Sequence, residues 1–334
     1  MPNPKKIVCL GGGTGVSVVL SGLKKYPLDL SAVVTMFDNG GSSGRLRKEM
    51  GILPLGDLRQ CLLATSERDN LVNLFQYRFA EGKLKGHSFG NLFIAATSKA
   101  VGSLEEAINQ VGETLNAKAK VVPVTLENSD IKAELKNRKK MKGEEAIINC
   151  QHLSKVGLKK LTLEPKVKAN PKAISTIKKA DLIVIGPGKF YTSLLPIFLV
   201  EGIKEAIKGS RAKKVFICNL MTQVGNTDNF TVENFVSFLE QYLGKDAIDY
   251  VIFNTGRLPA SLEKETKKVF PKARFINYDN SLLKKKNFIG VDVLDRSIHK
   301  SDPADILVKG ANLRTMILHD SDKLTKVILS LCKQ

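Results

Sequence analysis

Two glycine-rich loops near the start of the chain contain the residue types best suited to holding an anion. The first is Gly-Gly-Gly-Thr-Gly at residues 11–15, and the second is Asp-Asn-Gly-Gly-Ser-Ser-Gly-Arg at residues 38–45. Glycine lets backbone N–H groups approach a ligand closely. A helix that begins in such a loop adds a partial positive charge and unpaired donors. We interpret the first loop as a phosphate-binding segment rather than a simple turn, and the second as a further donor-rich loop.

Charged side chains beside the loops could complete a site for a diphosphate. Arg45, Arg47 and Arg59 could pair with its oxygens, or could instead form surface ion pairs. Asp38 and Asp57 could hold Mg²⁺ next to it. Asp57 could equally serve only as the N-cap of the helix that follows. The sequence leaves these alternatives open.

The remaining polar residues do not indicate a particular reaction. His87 lies in a glycine-punctuated turn, where it could act on a ligand or cap a helix. No nucleophile–base pair and no metal-ligand spacing is evident, so binding is better supported than catalysis. The candidates for ligand binding from these loops are Gly11, Gly12, Gly13, Thr14, Gly15, Asp38, Asn39, Gly40, Gly41, Ser42, Ser43, Arg45, Asp57, Arg59 and His87.

A dinucleotide-binding enzyme is an alternative with one supporting residue. The first loop does not match Gly-x-Gly-x-x-Gly, because the third glycine would fall at Val16 or Val18. Asp38 does follow the second strand, where NAD-binding folds place a ribose-binding acid. The interpretation as an NAD(P)-dependent oxidoreductase is therefore supported by Asp38 alone.

The elements that position these residues repeat as apolar strand, polar loop and helix. Five apolar runs end in loops rich in Gly, Asn, Ser or Thr, at residues 7–10, 31–37, 181–185, 214–218 and 250–253. Runs that are apolar throughout are typical of buried parallel strands. The pattern predicts an α/β fold with a doubly wound parallel sheet, whose ligands bind at the carboxyl ends of the strands.

The chain is predicted to be a single α/β domain with two additions. Short alternating segments and a change in charge indicate a small β-rich insertion at about 125–165, and a C-terminal extension occupies about 258–334. Helices are predicted over 67–85, with Leu74 on the apolar face, and over 195–208.

Composition limits the possible functions. The 334 residues include 52 Lys and Arg and 33 Asp and Glu, for a net charge of +19. The basic residues are spread along the chain without a nucleic-acid motif, so we expect attraction for anionic metabolites rather than specific nucleic-acid binding. The five cysteines include no C-x-x-C pair and are expected to be reduced. Without an apolar span or a signal segment, we expect a cytoplasmic protein that does not engage membranes.

Six segments, taken in order, form a specific series: residues 11–15, 38–45, Gly56-Asp-Leu-Arg59, His87-Ser-Phe-Gly-Asn-Leu92, Gly186-Pro-Gly188 with Tyr191-Thr-Ser-Leu-Leu-Pro196, and Asn219-x-Met-Thr-Gln223. This series resembles the bacterial gluconeogenesis factor family, the UDP-sugar-binding branch of the 2-phospho-L-lactate transferase superfamily. The resemblance implies a modified Rossmann fold and a cytoplasmic protein that binds UDP-N-acetylglucosamine or a related UDP-sugar. It also implies a role in gluconeogenic growth and in cell shape.

The resemblance extends the set of expected ligand-binding residues. The first loop with Ser42, Ser43 and Arg45 would hold phosphates, and residues near 219–223 would lie by the nucleoside. The additional candidates are Asn91, Gly186, Pro187, Gly188, Lys189, Tyr191, Asn219, Thr222 and Gln223. A homodimer and an unidentified regulatory protein partner are expected on the same basis.

The alternative within the resemblance is an enzyme. Members of the transferase branch move phospholactate onto a deazaflavin with Mg²⁺. Three residues depart from the family pattern: Leu55 replaces a proline, Lys189 a serine and Asn226 an acid. Lys189 adds a cation at the cleft and could change the preferred ligand.

Overall fold

The structure is a computed structural model. It describes residues 3–269, 271–297 and 317–332. Residues 298–316, which belong to the predicted C-terminal extension, lie outside the described part. No helix within the described part is both long enough and apolar enough to cross a membrane.

The described residues form ten strands in two sheets. The strands are β1 (Lys6–Gly11), β2 (Asp29–Val34), β3 (Ala119–Pro123), β4 (Asp130–Leu135), β5 (Lys140–Lys142), β6 (Leu158–Glu164), β7 (Leu182–Ile185), β8 (Lys213–Ile217), β9 (Tyr250–Asn254) and β10 (Phe288–Val291). Seven of them form one sheet in the order β10-β9-β8-β7-β1-β2-β3, with every neighbouring pair parallel. The other three form an antiparallel sheet in the order β5-β4-β6.

Helices connect these strands. The α-helices are α1 (Gly13–Leu23), α2 (Gly41–Met50), α3 (Gly56–Thr65), α4 (Asp69–Gln76), α5 (Phe89–Val101), α6 (Leu104–Thr114), α7 (Glu144–Ile148), α8 (Leu153–Val156), α9 (Pro171–Lys178), α10 (Ile203–Gly209), α11 (Val232–Leu243), α12 (Ala260–Val269) and α13 (Ser321–Leu331). The parallel sheet with its helices and the small antiparallel sheet confirm the predicted fold class.

The centre of the large sheet is the point where the strand order reverses. The chain leaves β1 for β2 and β3 on one side, and later returns to β7 on the other side of β1. The loops after β1 and β7 therefore lie side by side, and the backbone N–H of Gly186 donates to the carbonyl of Leu10 at 2.9 Å. A crevice at such a reversal is where open α/β sheets bind ligands.

Burial of the central strands explains their apolar sequences. Ile7, Cys9 and Leu10 in β1 are fully buried, as is every residue of β7 from Leu182 to Ile185. Strands at the middle of a parallel sheet are covered on both faces, which requires apolar residues without alternation. The core built in this way provides a rigid base for the loops at the carboxyl edge.

The helix predicted over residues 67–85 is wrong beyond its first half. Helix α4 ends at Gln76, and Leu74 is 45% exposed. The following residues fold back as an irregular hairpin, in which the N–H of Phe79 donates to the carbonyl of His87 at 3.0 Å. Backbone pairing with a later segment, which helical periodicity does not encode, replaces the helix. The hairpin carries His87 toward the second glycine loop.

The single helix predicted over residues 195–208 is also wrong. A π-helical turn (Phe190–Leu194) leads into a 3₁₀ turn (Leu195–Leu199), and α10 begins only at Ile203. Pro196 has no N–H to donate, Val200 is extended after the 3₁₀ turn, and Gly202, with a left-handed φ of +97°, is the N-cap of α10. The break keeps this segment against the cleft.

The C-terminal helix is part of the domain rather than an appendage. Helix α13 packs on α1, where a Cβ at Gly22 would overlap the hydroxyl of Thr325. Just before it, His319 is 7% exposed and its Nε2 lies 3.2 Å from the carbonyl oxygen of Cys218. Because a carbonyl can only accept, Nε2 carries the proton and donates.

All five cysteines are free thiols, as expected.

Candidate functional site

Two helices begin in the glycine loops without a side-chain cap. Helix α1 follows β1 and starts at Gly13, and α2 follows β2 and starts at Gly41, each with a left-handed φ (+59° and +53°) that favours glycine. The N-cap residues, Gly12 and Gly40, have no side chain, so neither helix is capped from that position. Uncapped N–H groups and the helix dipoles make these two N-termini suitable for an anion.

The loop glycines are required by close packing as well as by backbone conformation. A Cβ at Gly15 would overlap the carbonyl oxygen of Pro187, and a Cβ at Gly12 would overlap the carboxylate of Asp57. The loops after β1 and after β7 and the first turn of α3 are therefore in direct contact. Larger residues at Gly12 or Gly15 would separate them.

Three predicted residues form one buried polar cluster at the start of α2. Ser42 Oγ lies 3.0 Å from His87 Nδ1, and Asn91 Nδ2 donates to Ser42 Oγ at 3.2 Å. Burial lowers the pKa of His87, and the positive charge of Arg45 lowers it further. The predicted helix-capping role of His87 is wrong, because Ser88 is the N-cap of α5 and accepts from the N–H of Asn91. Asn91 Oδ1 is buried with no hydrogen-bond partner among the described residues.

Asp38 and Lys189 meet at an acid that the sequence did not single out. Glu144, at the start of α7 in the insertion, is only 4% exposed, and its Oε1 accepts from Lys189 Nζ at 3.0 Å and from Thr192 Oγ1 at 3.4 Å. The carboxyl groups of Asp38 and Glu144 are hydrogen-bonded to each other. The only signal for Glu144 in the sequence was its place after Gly143, which does not indicate a function.

The carboxyl groups of Asp38 and Glu144 have pKa values that are shifted in opposite directions. Burial and the nearby Glu144 carboxylate raise the pKa of Asp38 well above its ordinary value. Burial alone would raise the pKa of Glu144, but the Lys189 ammonium and the hydrogen bond with Asp38 lower it. Of the two carboxyl groups, Asp38 therefore has the higher pKa, and the Glu144 carboxylate pairs with Lys189.

Asp38→Asn is expected to remove a pH dependence of stability. In the wild type the folded state keeps the Asp38 proton that the unfolded chain releases above about pH 4. The free energy of unfolding therefore falls as pH rises, by up to about 1.4 kcal/mol per pH unit. Asparagine has no such proton, so the variant should gain stability relative to the wild type between pH 4 and 7. Urea unfolding at several pH values measures this difference.

The matched control is Asp246→Asn, at an exposed position with a left-handed φ of +56° that asparagine tolerates. This variant should follow the pH dependence of the wild type. Parallel curves for Asp38→Asn and the wild type would mean that Asp38 is ionised in the fold.

The loop after β8 contributes an amide to the crevice. Asn219 Nδ2 donates to the carbonyl of Gly188 at 2.8 Å, which ties this loop to the loop after β7. Its Oδ1 is buried and has no hydrogen-bond partner in the described part of the chain. A buried acceptor without a donor is costly.

Other predicted residues have partners within the fold. Thr222 Oγ1 accepts from the N–H of Arg274 at 3.0 Å, and the N–H of Gln223 donates to Thr227 at 2.9 Å. Gln223 itself keeps a half-buried side chain. The Thr222 hydroxyl holds the C-terminal region to this loop.

The predicted arginines differ in their surroundings. Arg47 forms an ion pair with Asp130 at 3.0 Å, in agreement with the surface-pair alternative. Arg59 is 6% exposed and donates to the carbonyl of Phe75 at 3.1 Å. Arg45 is exposed on α2. Of the three arginines, only Arg45 is exposed, and Arg59 is buried.

Comparison with known proteins identifies the family. The profile described as 2-phospho-L-lactate transferase CofD matches residues 7–298. This chain belongs to the CofD family. It is 38% identical over 339 residues to the gluconeogenesis factor of Bacillus subtilis, with all of both chains covered. It is 43% identical over 261 residues to the gluconeogenesis factor of Listeria innocua, with 77% of this chain and 80% of the relative covered.

A solved structure has the same fold. The crystal structure of protein BH3568 from Bacillus halodurans is 36% identical and superposes with a TM-score of 0.85, covering 98% of this chain and 99% of that one. Together these similarities confirm the resemblance to gluconeogenesis factors that the six segments suggested.

Of the three departures from the gluconeogenesis factor pattern, Lys189 pairs with Glu144, as described above, and Leu55 and Asn226 have structural contacts elsewhere. Leu55 is buried and is the residue before α3, so Asp57 lies inside that helix and its predicted N-cap role is wrong. Asn226 Nδ2 donates to the carbonyls of Ile148 and Cys150, at 3.3 and 3.2 Å. Asn226 therefore holds the insertion in place.

Further contacts make the insertion one wall of the crevice. Asn39 Oδ1 accepts from the N–H of Glu145 at 3.0 Å, and Ser154 donates to Asp228. Tyr191, another predicted ligand residue, is 3% exposed and packs edge-on against Phe190 and against other aromatic rings. Its burial favours a supporting role beneath this wall.

Proposed function

We propose that this chain binds a UDP-sugar of the UDP-N-acetylglucosamine type and acts as a cytoplasmic regulatory protein in gluconeogenic growth and cell-shape maintenance. The observation that carries the proposal is the pair of helix N-termini at Gly13 and Gly41, which begin in the glycine loops after the neighbouring strands β1 and β2 and have no cap from the N-cap side chain. Two adjacent dipoles suit the two phosphates of a nucleoside diphosphate. Its relatives named gluconeogenesis factor support the cellular role.

The unpaired amide supports a nucleoside next to the phosphates. One N–H of the Asn219 amide is donated to the carbonyl of Gly188, and the acceptor Oδ1 has no hydrogen-bond partner among the described residues. An acceptor suits an N–H group of a base, such as the imide of uracil. In this arrangement the diphosphate lies against Gly13 and Gly41, and the base lies toward the loop after β8.

A phospholactyl-type transferase is the second candidate, and a specific observation favours it. The family profile carries that activity in its description, and the proton held by Asp38 beside Glu144 could serve general acid–base chemistry. Incubation with a nucleoside-diphosphate donor of phospholactate, a deazaflavin acceptor and Mg²⁺ would reveal it. A new phosphodiester product would favour the enzyme over the regulator.

Calorimetric titration with UDP-N-acetylglucosamine tests the proposal, with GDP and NAD⁺ as competing ligands. We expect micromolar binding of the UDP-sugar alone. Arg45→Ala should weaken it about 10- to 100-fold, since a charge-assisted contact to phosphate contributes about 1.5–3 kcal/mol. Arg211→Ala removes an equally exposed arginine outside the loops and should bind as the wild type does.

Two results would contradict the proposal. Binding of GDP in place of the UDP-sugar would favour the transferase. Binding of NAD⁺ would favour the oxidoreductase that Asp38 first suggested.

A further inference from the structure

Lys189 is a positive charge placed directly beside the phosphate loops. It follows Gly188, whose neighbour across the crevice is the carbonyl of Gly12 in the first loop. The resembled family usually has serine at this position. The Lys189 side chain is 54% exposed, while its partner Glu144 is almost fully buried. The ammonium therefore lies at the boundary between the buried acids and the open crevice.

Three acids from separate elements surround this ammonium. Asp38 comes from the loop after β2, Asp57 from α3 and Glu144 from α7. Burial lowers the pKa of Lys189, but these carboxyl groups, Glu144 foremost, raise it above its ordinary value. Carboxylates grouped next to a diphosphate usually recruit Mg²⁺. Here a side chain of the protein already provides a positive charge at that place.

We propose that Lys189 is the built-in cation of this site, so that the chain binds a nucleoside diphosphate without a divalent metal ion. The proposal rests on the function proposed above. An ammonium has three N–H donors, of which one is used on Glu144. The other two remain for phosphate oxygens at the N-termini of α1 and α2.

The acids of this chain do not fit Mg²⁺, which the transferase branch uses. Asp38 Oδ1 already accepts from the N–H of Gly40 at 2.8 Å. Glu144 Oε1 already accepts from Lys189 and Thr192. Mg²⁺ needs oxygen ligands in near-ideal octahedral geometry, commonly one or two carboxylates with waters and phosphate oxygens, and it would be repelled by the ammonium. Within the described residues no group of three or more His, Cys, Asp or Glu could hold a metal ion.

Titration of the purified protein with UDP-N-acetylglucosamine, in EDTA and in MgCl₂, tests the proposal. We expect the wild-type dissociation constant to agree within about twofold between the two conditions. Lys189→Ala should bind about 10- to 100-fold more weakly in EDTA, the loss typical of one charge-assisted contact. Lys189→Ser, which restores the family residue, should regain affinity when Mg²⁺ is added. The control Lys326→Ala removes an exposed lysine on α13 and should bind as the wild type does.

Mn²⁺ binding, followed by electron paramagnetic resonance without nucleotide, gives a second readout that does not depend on the ligand. Lys189→Ser should bind Mn²⁺ at the acids, and the wild type should not. Wild-type affinity for the UDP-sugar that appears only with Mg²⁺ would overturn the role of Lys189 but leave the proposed function intact. If the wild type bound no UDP-sugar in either condition, the proposed function would fail. Mn²⁺ binding to the wild type as tight as to Lys189→Ser would then overturn this inference as well.

Discussion

Gly15→Ala is expected to lower the affinity for UDP-N-acetylglucosamine by at least about 100-fold, equivalent to about 2.7 kcal/mol. A Cβ at this position would overlap the carbonyl oxygen of Pro187, a backbone atom that cannot turn aside as a side chain would. The loop after β1 must then move away from the loop after β7. That movement displaces the N-terminus of α1, and the strain should lower the free energy of unfolding by about 1–3 kcal/mol. Calorimetry and urea unfolding measure the two effects.

A second glycine separates loss of the site from a general effect of alanine. Gly209, at the end of α10, has no heavy atom within 4 Å of an added Cβ. Gly209→Ala should bind the UDP-sugar as the wild type does and should change the free energy of unfolding by less than about 1 kcal/mol. Unchanged binding by Gly15→Ala would show that contact between the two loops is not needed to seat the phosphates.

His319→Gln is expected to protect the fold from acid. Burial lowers the pKa of His319 to about 4, from 6.5 in an exposed histidine. As pH falls below 6.5 the unfolded chain takes up a proton that the folded protein refuses, so the free energy of unfolding decreases. Between pH 6.5 and 4 this loss amounts to about 3 kcal/mol. Glutamine can still donate to the carbonyl of Cys218 and cannot ionise. The variant should therefore lose less stability than the wild type between pH 7.5 and 4.5.

Unfolding in urea at these two pH values measures the effect, and His152→Gln is the control. His152 is exposed on the insertion, so its replacement should leave the acid sensitivity of the wild type unchanged. Equal acid sensitivity of His319→Gln and the wild type would mean that His319 titrates normally in the fold. Since Cys218 directly precedes Asn219, such a result would also weaken the link between His319 and the crevice.

The fold was largely predictable because its central strands are uninterrupted. Each apolar run of the large sheet ends in a polar loop, and that pattern alone indicates parallel strands with loops at one edge. The errors came from segments whose structure depends on distant partners. The helix predicted to reach residue 85 ends instead at Gln76, because residues 77–79 pair with residues 86–89. The segment from Phe190 to Leu199 forms π-helical and 3₁₀ turns in place of an α-helix. Periodicity within a short window carries no information about such contacts.

The glycine-rich loops of the candidate site could be predicted from the sequence, but the positions of its charged side chains could not. Gly11–Gly15 and Asp38–Arg45 were evident because each contains more glycine and small polar residues than a simple turn requires. Glu144 could not be found, because it reaches Asp38 only when the insertion folds over the crevice. The fold likewise separated the arginines: Arg45 is exposed, and Arg59 is buried against the carbonyl of Phe75. The surroundings of each of these charged side chains depend on the tertiary structure, which local sequence patterns do not reveal.

A crystal structure of the protein with UDP-N-acetylglucosamine tests the central claim most directly. We expect the two phosphates at the N-termini of α1 and α2, within hydrogen-bond distance of backbone N–H groups from Gly13 to Ser43, and the uracil next to Asn219 Oδ1. A ligand seated outside the crevice between β1 and β7 would contradict the claim. So would a diphosphate in the crevice that makes no contact with either helix N-terminus.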